Sequence, residues 1–106
     1  MPTPLTLHTG RRGDGTVLLS ATGELDLSNI EAFIKAIAAA VNDQNDDVAR
    51  LIVDLRAVDY LDSGAINALY EYAERIRRII ANPILMPVLT ISGLTSVVEV
   101  QAAEQN

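Results

Sequence analysis

Leu51-Ile52-Val53-Asp54-Leu55-Arg56-Ala57-Val58-Asp59-Tyr60-Leu61-Asp62-Ser63-Gly64-Ala65-Ile66 changes character twice along its length. Leu51, Ile52, Val53 and Leu55 form an apolar run too short for a helix, which reads as a strand buried on both faces. Arg56 to Asp62 is expected to be a loop. From Ile66 onward the apolar positions Ile66, Leu69, Tyr70, Ala73, Ile76 and Ile80 recur at helical spacing, until Pro83 stops the pattern. A doubly buried strand feeding a helix across a short link is half of a βαβ unit, so the fold is expected to be α/β.

The flanking sequence extends this unit in both directions. Upstream, alternation around Leu5 and Leu7, the turn signal Gly13-Asp14-Gly15 and the run Thr16 to Ala21 predict a hairpin. Ile30, Phe33, Ile34, Ile37, Ala38 and Val41 then fall at helical spacing, with Ser28 and Glu31 disposed as a capping box and the polar segment Asn42 to Asp47 as the stop. Downstream, Val88 to Ile91 is expected to be a third strand, starting at Pro87 or lying at a sheet edge because proline cannot donate a ladder bond. Gly93 then turns the chain into a short final helix. Strand, helix, strand, helix, strand implies two right-handed βαβ crossovers, and with the hairpin a mixed sheet of four to five strands with about three helices. Residues 1–106 read as one domain, without internal repeat, linker or low-complexity segment.

Composition excludes several function classes. The net charge is −6, whereas sequence-independent nucleic-acid binding rests on Lys and Arg neutralising phosphates; a protein partner is expected instead. Arg75, Arg77 and Arg78, set among Glu71 and Glu74, read as the solvated face of one helix. There is no cysteine, hence no disulfide, thiolate nucleophile or thiolate-bound metal. Met1 to Gly10 lacks a basic leader and an apolar signal core, so a cytoplasmic location is expected. The chain has no charged residue between Arg78 and Glu99, a length able to span a bilayer. Pro83, Pro87, Asn82, Gly93 and the polar set Thr90, Ser92, Thr95 and Ser96 argue against membrane insertion.

No constellation of catalytic type is visible, so the chain is expected not to be an enzyme and to need no metal or cofactor. The one histidine, His8, lies in the first expected strand and reads as a surface strand residue. Gly10, Gly13 and Gly15 lack both the preceding strand and the Lys-Ser/Thr ending of a phosphate-binding loop.

The segment Val53 to Ile66, with strand, acidic loop and serine at a helix start in that order, resembles the signature of the STAS family. The upstream run Gly23-Glu24-Leu25-Asp26-Leu27-Ser28 is similar to that family's second marker. The resemblance, which covers nearly the whole chain, implies a mixed sheet with associated helices that binds another protein. In its anti-sigma factor antagonist branch the unmodified form captures an anti-sigma factor, often a serine kinase, and so regulates sigma-factor-dependent transcription in bacteria. Phosphorylation of the serine after the loop aspartate releases the partner. By position these are Ser63 and Asp62. The chain departs from the family pattern in that Gly64 directly follows Ser63 and Ala65 takes the usual glycine place. The closing helix of many relatives is expected to be short or absent.

Read from the residues alone, Ser63 is a helix N-cap, and the same position offers free helix N–H groups to an added phosphate. Asp62 is either a turn or cap residue or an orienter of the serine hydroxyl. Asp59 adds negative charge, Tyr60 an apolar contact, and Gly64 close approach of a partner backbone. Glu24 and Asp26, where the second strand delivers its loop, are expected to flank Ser63. The expected partner surface is therefore Glu24, Asp26, Asp59, Tyr60, Asp62, Ser63 and Gly64. Two other uses of the same module stay open: an accessory subunit of a membrane transporter, and a constitutive binding module that is never phosphorylated.

Overall fold

A computed structural model describes residues 4–42 and 50–104. Its centre is a five-stranded sheet in which every strand lies beside its neighbour in sequence. Strands β1 (Thr6–Arg11) and β2 (Val17–Leu25) form the expected hairpin. At its turn the Asp14 carboxylate accepts from the Thr16 amide at 2.9 Å. That bond, with a further one from the Thr16 hydroxyl, holds the Asp14 carboxyl below its usual range. Beyond the hairpin, β3 (Leu51–Leu61), β4 (Ile76–Ala81) and β5 (Val100–Ala102) all run parallel to β2.

Because sequence order equals spatial order, each crossover of the usual right hand carries its connection over the same face of the sheet. The three helices α1 (Ile30–Asn42), α2 (Ser63–Glu71) and α3 (Met86–Ile91) share one apolar core with that face. Helix α1 buries Phe33, Ile37, Ala40 and Val41, the i, i+4, i+7, i+8 stripe of an amphipathic helix. They meet Leu19, Leu25, Val53, Leu55 and Ile79 of the sheet, with Leu69, Leu89 and Leu94 closing the far side. The opposite face carries half-buried Leu18, Ser20, Asp54, Arg78 and Ile80, the alternation of a sheet covered on one side.

Several elements depart from the sequence reading. Strand β3 does not stop at Leu55 but continues to Leu61, so the expected Arg56–Asp62 loop is almost wholly strand. Its register against β2 shifts between Ser20 and Thr22 and again between Gly23 and Glu24, where β3 supplies one extra residue each time. These bulges bend the strand and space its buried residues by three, at Leu55, Val58 and Leu61. Gly23 takes φ +113° at the second shift, a conformation that favours glycine.

The expected long second helix ends at Glu71. A 3-10 turn over Ala73–Arg75 then leads into β4, so Ile76 and Ile80 are strand residues. Val88 to Ile91, expected as a strand, is helical. Pro83 opens a 3-10 turn capped by the Asn82 side chain, and Pro87 lies in the first turn of α3, where a missing N–H costs nothing. The final helix is one 3-10 turn, Leu94–Ser96, followed by β5, which makes a third parallel crossover instead of two.

The three arginines do not share a helix face. Arg75 Nη2 donates to the Val41 carbonyl at 3.0 Å, placing a cation at the C-terminal end of α1. Arg77 is exposed on β4, and Arg78 pairs with Glu99 at 2.9 Å in a largely exposed bridge of small energetic weight. Of the expected stop segment Asn42–Asp47, Asn42 ends α1 and the remainder lies outside the described residues.

Two substitutions test this packing. Phe33→Ala empties the fully buried aromatic site of α1 and is expected to cost about 3–5 kcal/mol in urea unfolding. Gly93 has φ +86°, and an added Cβ would stand 2.6 Å from the Tyr70 hydroxyl, which donates to the Ser92 carbonyl at 2.7 Å. Gly93→Ala is therefore expected to cost about 1–3 kcal/mol. In a double-mutant cycle with Tyr70→Phe the cost should be less than additive, because the clashing oxygen is gone.

Candidate functional site

Two loops meet at the C-terminal ends of β2 and β3, and the pairing of those strands brings them together. Glu24 is registered with Tyr60 and Leu25 with Leu61, and the Asp62 amide donates to the Leu25 carbonyl at 3.1 Å. The chain turns into α1 from one strand and into α2 from the other. The sequence between Gly23 and Ser28 thus lies beside that between Tyr60 and Gly64.

The N-cap of α2 is Asp62, not Ser63. Its backbone is extended (φ −97°, ψ −177°) and its Oδ1 accepts from the Ala65 amide at 3.1 Å. This is the cap geometry that satisfies one of the helix's free N–H groups. Ser63 becomes the first helical residue, exposed to solvent at the positive end of the helix. Of the two roles open to Asp62, the cap is the one observed.

Gly64 and Ala65 have separate reasons. A Cβ at position 64 would lie 3.3 Å from Asp62 Oδ1 and 3.6 Å from Leu27 Cδ2, so a side chain there would press on the cap. Ala65 is fully buried against the core. Its methyl group takes no part in the exposed surface around Ser63.

The neighbouring loop is held by its own side chains. Asp26 Oδ1 accepts from both the amide and the hydroxyl of Ser28, while Asn29 Oδ1 accepts from the Asp26 amide at 3.0 Å. Asn29 Nδ2 donates to the Glu24 carbonyl at 2.8 Å. The expected Ser28–Glu31 capping box is replaced by this Asp26–Asn29 arrangement, and α1 starts at Ile30. Local side-chain turns compete well here because Asp26 bonds the backbone two residues on and Asn29 the backbone three residues back.

The structure thus brings Glu24, Asp26, Tyr60, Asp62, Ser63 and Gly64 to one end of the sheet, with Asp59 exposed on the last turnout of β3. Tyr60 is 50% exposed. One residue that sequence reasoning missed is Leu27, 80% exposed and adjacent to Gly64. Its signal was an aliphatic side chain inside an otherwise polar turn. The result is an exposed serine at the same end of the sheet as several carboxylates, with Leu27 and Tyr60 exposed there as well. Among the described residues no group of His, Cys, Asp and Glu has the arrangement of a metal site.

The STAS domain family model matches residues 10–103. The chain belongs to the STAS domain family. No curated protein matches it. Among solved structures, this STAS domain is similar to an anti-sigma factor antagonist from Mycobacterium paratuberculosis, with 25% identity and a TM-score of 0.82, covering 95% of this chain and 88% of the other. It shares its fold with the anti-sigma factor antagonist SpoIIAA in its unphosphorylated form, at 21% identity and a TM-score of 0.69, with 94% and 90% coverage. A putative anti-sigma factor antagonist from Thermotoga maritima gives 16% identity, a TM-score of 0.72 and coverage of 92% and 86%.

The cap makes a separable prediction. Asp62→Ala is expected to destabilise the domain by about 1 kcal/mol in urea unfolding, and Asp62→Asn by much less, because asparagine also accepts from the Ala65 amide.

Proposed function

We propose that this STAS domain is an anti-sigma factor antagonist: it captures an anti-sigma factor and is released when that partner, or another serine kinase, phosphorylates Ser63. One observation carries the reading. Ser63 is the exposed first residue of α2, next to a capping aspartate, at the strand ends where Glu24 and Asp26 also stand. The likeness to solved anti-sigma factor antagonists supports the same reading.

The release is electrostatic. A phosphate on Ser63 adds close to two negative charges beside Asp62 on a chain already at −6. A partner that buries this end of the sheet would have to desolvate that dianion without a cation to receive it, a cost of several kcal/mol. Asp62 already holds the start of α2, so the helix itself need not rearrange. In this role the protein is a binding module and transforms no substrate. Its expected partner surface is Glu24, Asp26, Leu27, Asp59, Tyr60, Asp62, Ser63 and Gly64.

The test is incubation with purified anti-sigma factors of the source organism and ATP, followed by phosphosite mapping. Phosphate is expected on Ser63, with loss of the complex. In titration calorimetry Ser63→Ala should bind like wild type, and Ser63→Glu should bind about tenfold to a hundredfold more weakly. Equal affinity of both variants contradicts charge-driven release. Recovery of a transporter subunit in place of an anti-sigma factor contradicts the proposal as a whole.

A further inference from the structure

Strand β4 stops short of its neighbour β3. Its last residue, Ala81, is registered with Leu55 of β3 on one side and Ala102 of β5 on the other, and the Asn82 amide donates to the Leu55 carbonyl as the chain turns away at Pro83. Strand β3 runs on to Leu61, while past β5 the Ala103 amide donates to the Ala81 carbonyl. The place that β4 vacates lies between these two flanks. A cleft of about 240 Å³ opens there to solvent, lined by Arg56, Ile80, Gln101, Ala102, Ala103 and Glu104. Ile80 is registered with both Asp54 and Gln101, so the cleft sits on the sheet face that carries no helix.

Its polar groups are held ready for a ligand. Arg56 Nε donates to both Asp54 oxygens, at 3.1 and 3.0 Å, and the same carboxylate accepts from the Arg56 amide at 3.0 Å. The Asp54 side chain is only 13% exposed, which anchors the pair. Arg56 Nη1 and Nη2 have no acceptor among the described residues, and together they form the paired donors that a carboxylate accepts. The Gln101 amide and the Glu104 carboxylate line the same cleft, above a floor of Ile80, Ala102 and Ala103. Asp54 and Glu104 against Arg56 leave one net negative charge. That balance disfavours phosphates and other polyanions, and it asks an occupant that offers a carboxylate to Arg56 to bring a cation for Glu104 as well.

We propose that this cleft binds a small aliphatic α-amino acid, its carboxylate on Arg56 Nη1 and Nη2, its ammonium on Glu104 and its side chain over Ile80, Ala102 and Ala103. The size agrees: the volume lies below the about 300–1,000 Å³ of pockets for larger ligands and cofactors. Charged contacts in an open cleft are screened by water, so the affinity is expected near the millimolar range. None of these residues belongs to the Ser63 surface, and the proposal goes beyond the function argued there without depending on it.

Amide chemical shifts of the whole chain, titrated with L-valine, test the assignment. Three further probes divide the ligand: isovalerate lacks the ammonium, isobutylamine lacks the carboxylate, and inorganic phosphate is an anion alone. Valine is expected to give saturable shifts confined to Arg56, Ile80 and residues 101–104, and each partial probe to bind about tenfold more weakly or not at all. Arg56→Lys should weaken valine about tenfold by removing the paired donors. Glu104→Gln, at an exposed position that the fold does not use, should weaken valine by a similar factor and leave isovalerate unchanged. Absence of saturable shifts up to about 10 mM valine, or shifts centred elsewhere, overturns the site. Isovalerate or phosphate binding as tightly as valine reduces Arg56 to a plain anion contact and overturns the proposed ligand class.

Discussion

The parallel pairing of β2 with β3 is the constraint on which the rest of the structure depends. It runs from Val17↔Leu51 to Leu25↔Leu61 and is closed by the Asp62 amide on the Leu25 carbonyl. Parallel strands cannot be joined by a tight turn, so α1 must cross between them and present its Phe33 face to the sheet. The same pairing delivers the loop after β2 and the loop after β3 to one end. Neither loop forms a site alone: one supplies the acidic turn of Asp26 and exposed Leu27, the other the serine at the start of α2.

Much of this was legible in the residues. The hairpin, α1, the first half of β3 and the start of α2 each have one dominant period, and the expected mixed sheet and single domain match what is observed. The second half of β3 was hidden because two bulges replace the strand period of two by a spacing of three at Leu55, Val58 and Leu61. Ala73, Ile76 and Ile80 mimic a continuing helix, yet Ile76, Ile79 and Ala81 are the residues buried in β4. In α3, β-branched Val88, Thr90 and Ile91 suggest a strand. Helicity there is set by context: two prolines in positions that suit a helix start, and Leu85 and Leu89 one turn apart in the core.

At the candidate site the placement of residues was legible, but the local role of each was not. Glu24, Asp26, Tyr60, Asp62 and Ser63 do converge at one end of the sheet, because parallel strands deliver their loops together. Which residue caps α2 was not legible, since aspartate and serine are both good N-caps and stand next to each other. The structure decides through the extended backbone of Asp62 and its bond to Ala65. Leu27 escaped notice because a lone aliphatic residue in a turn has no periodicity to flag it.

That division of labour between Asp62 and Ser63 bears on how a modification at this end could act. Were Ser63 the cap, its phosphate would compete directly with the hydrogen bond that starts α2, and fold and binding would change together. With Asp62 holding the Ala65 amide, the Ser63 side chain is exposed and free of that duty. The helix dipole favours an added anion there by a few tenths to about 1 kcal/mol, while the nearby carboxylates oppose it through water, where screening is strong. These small opposing terms leave the isolated domain nearly indifferent to the charge. Only a partner that excludes water from the Ser63 end would feel the full cost of the dianion, so such a group would be inert in the free protein and decisive in a complex.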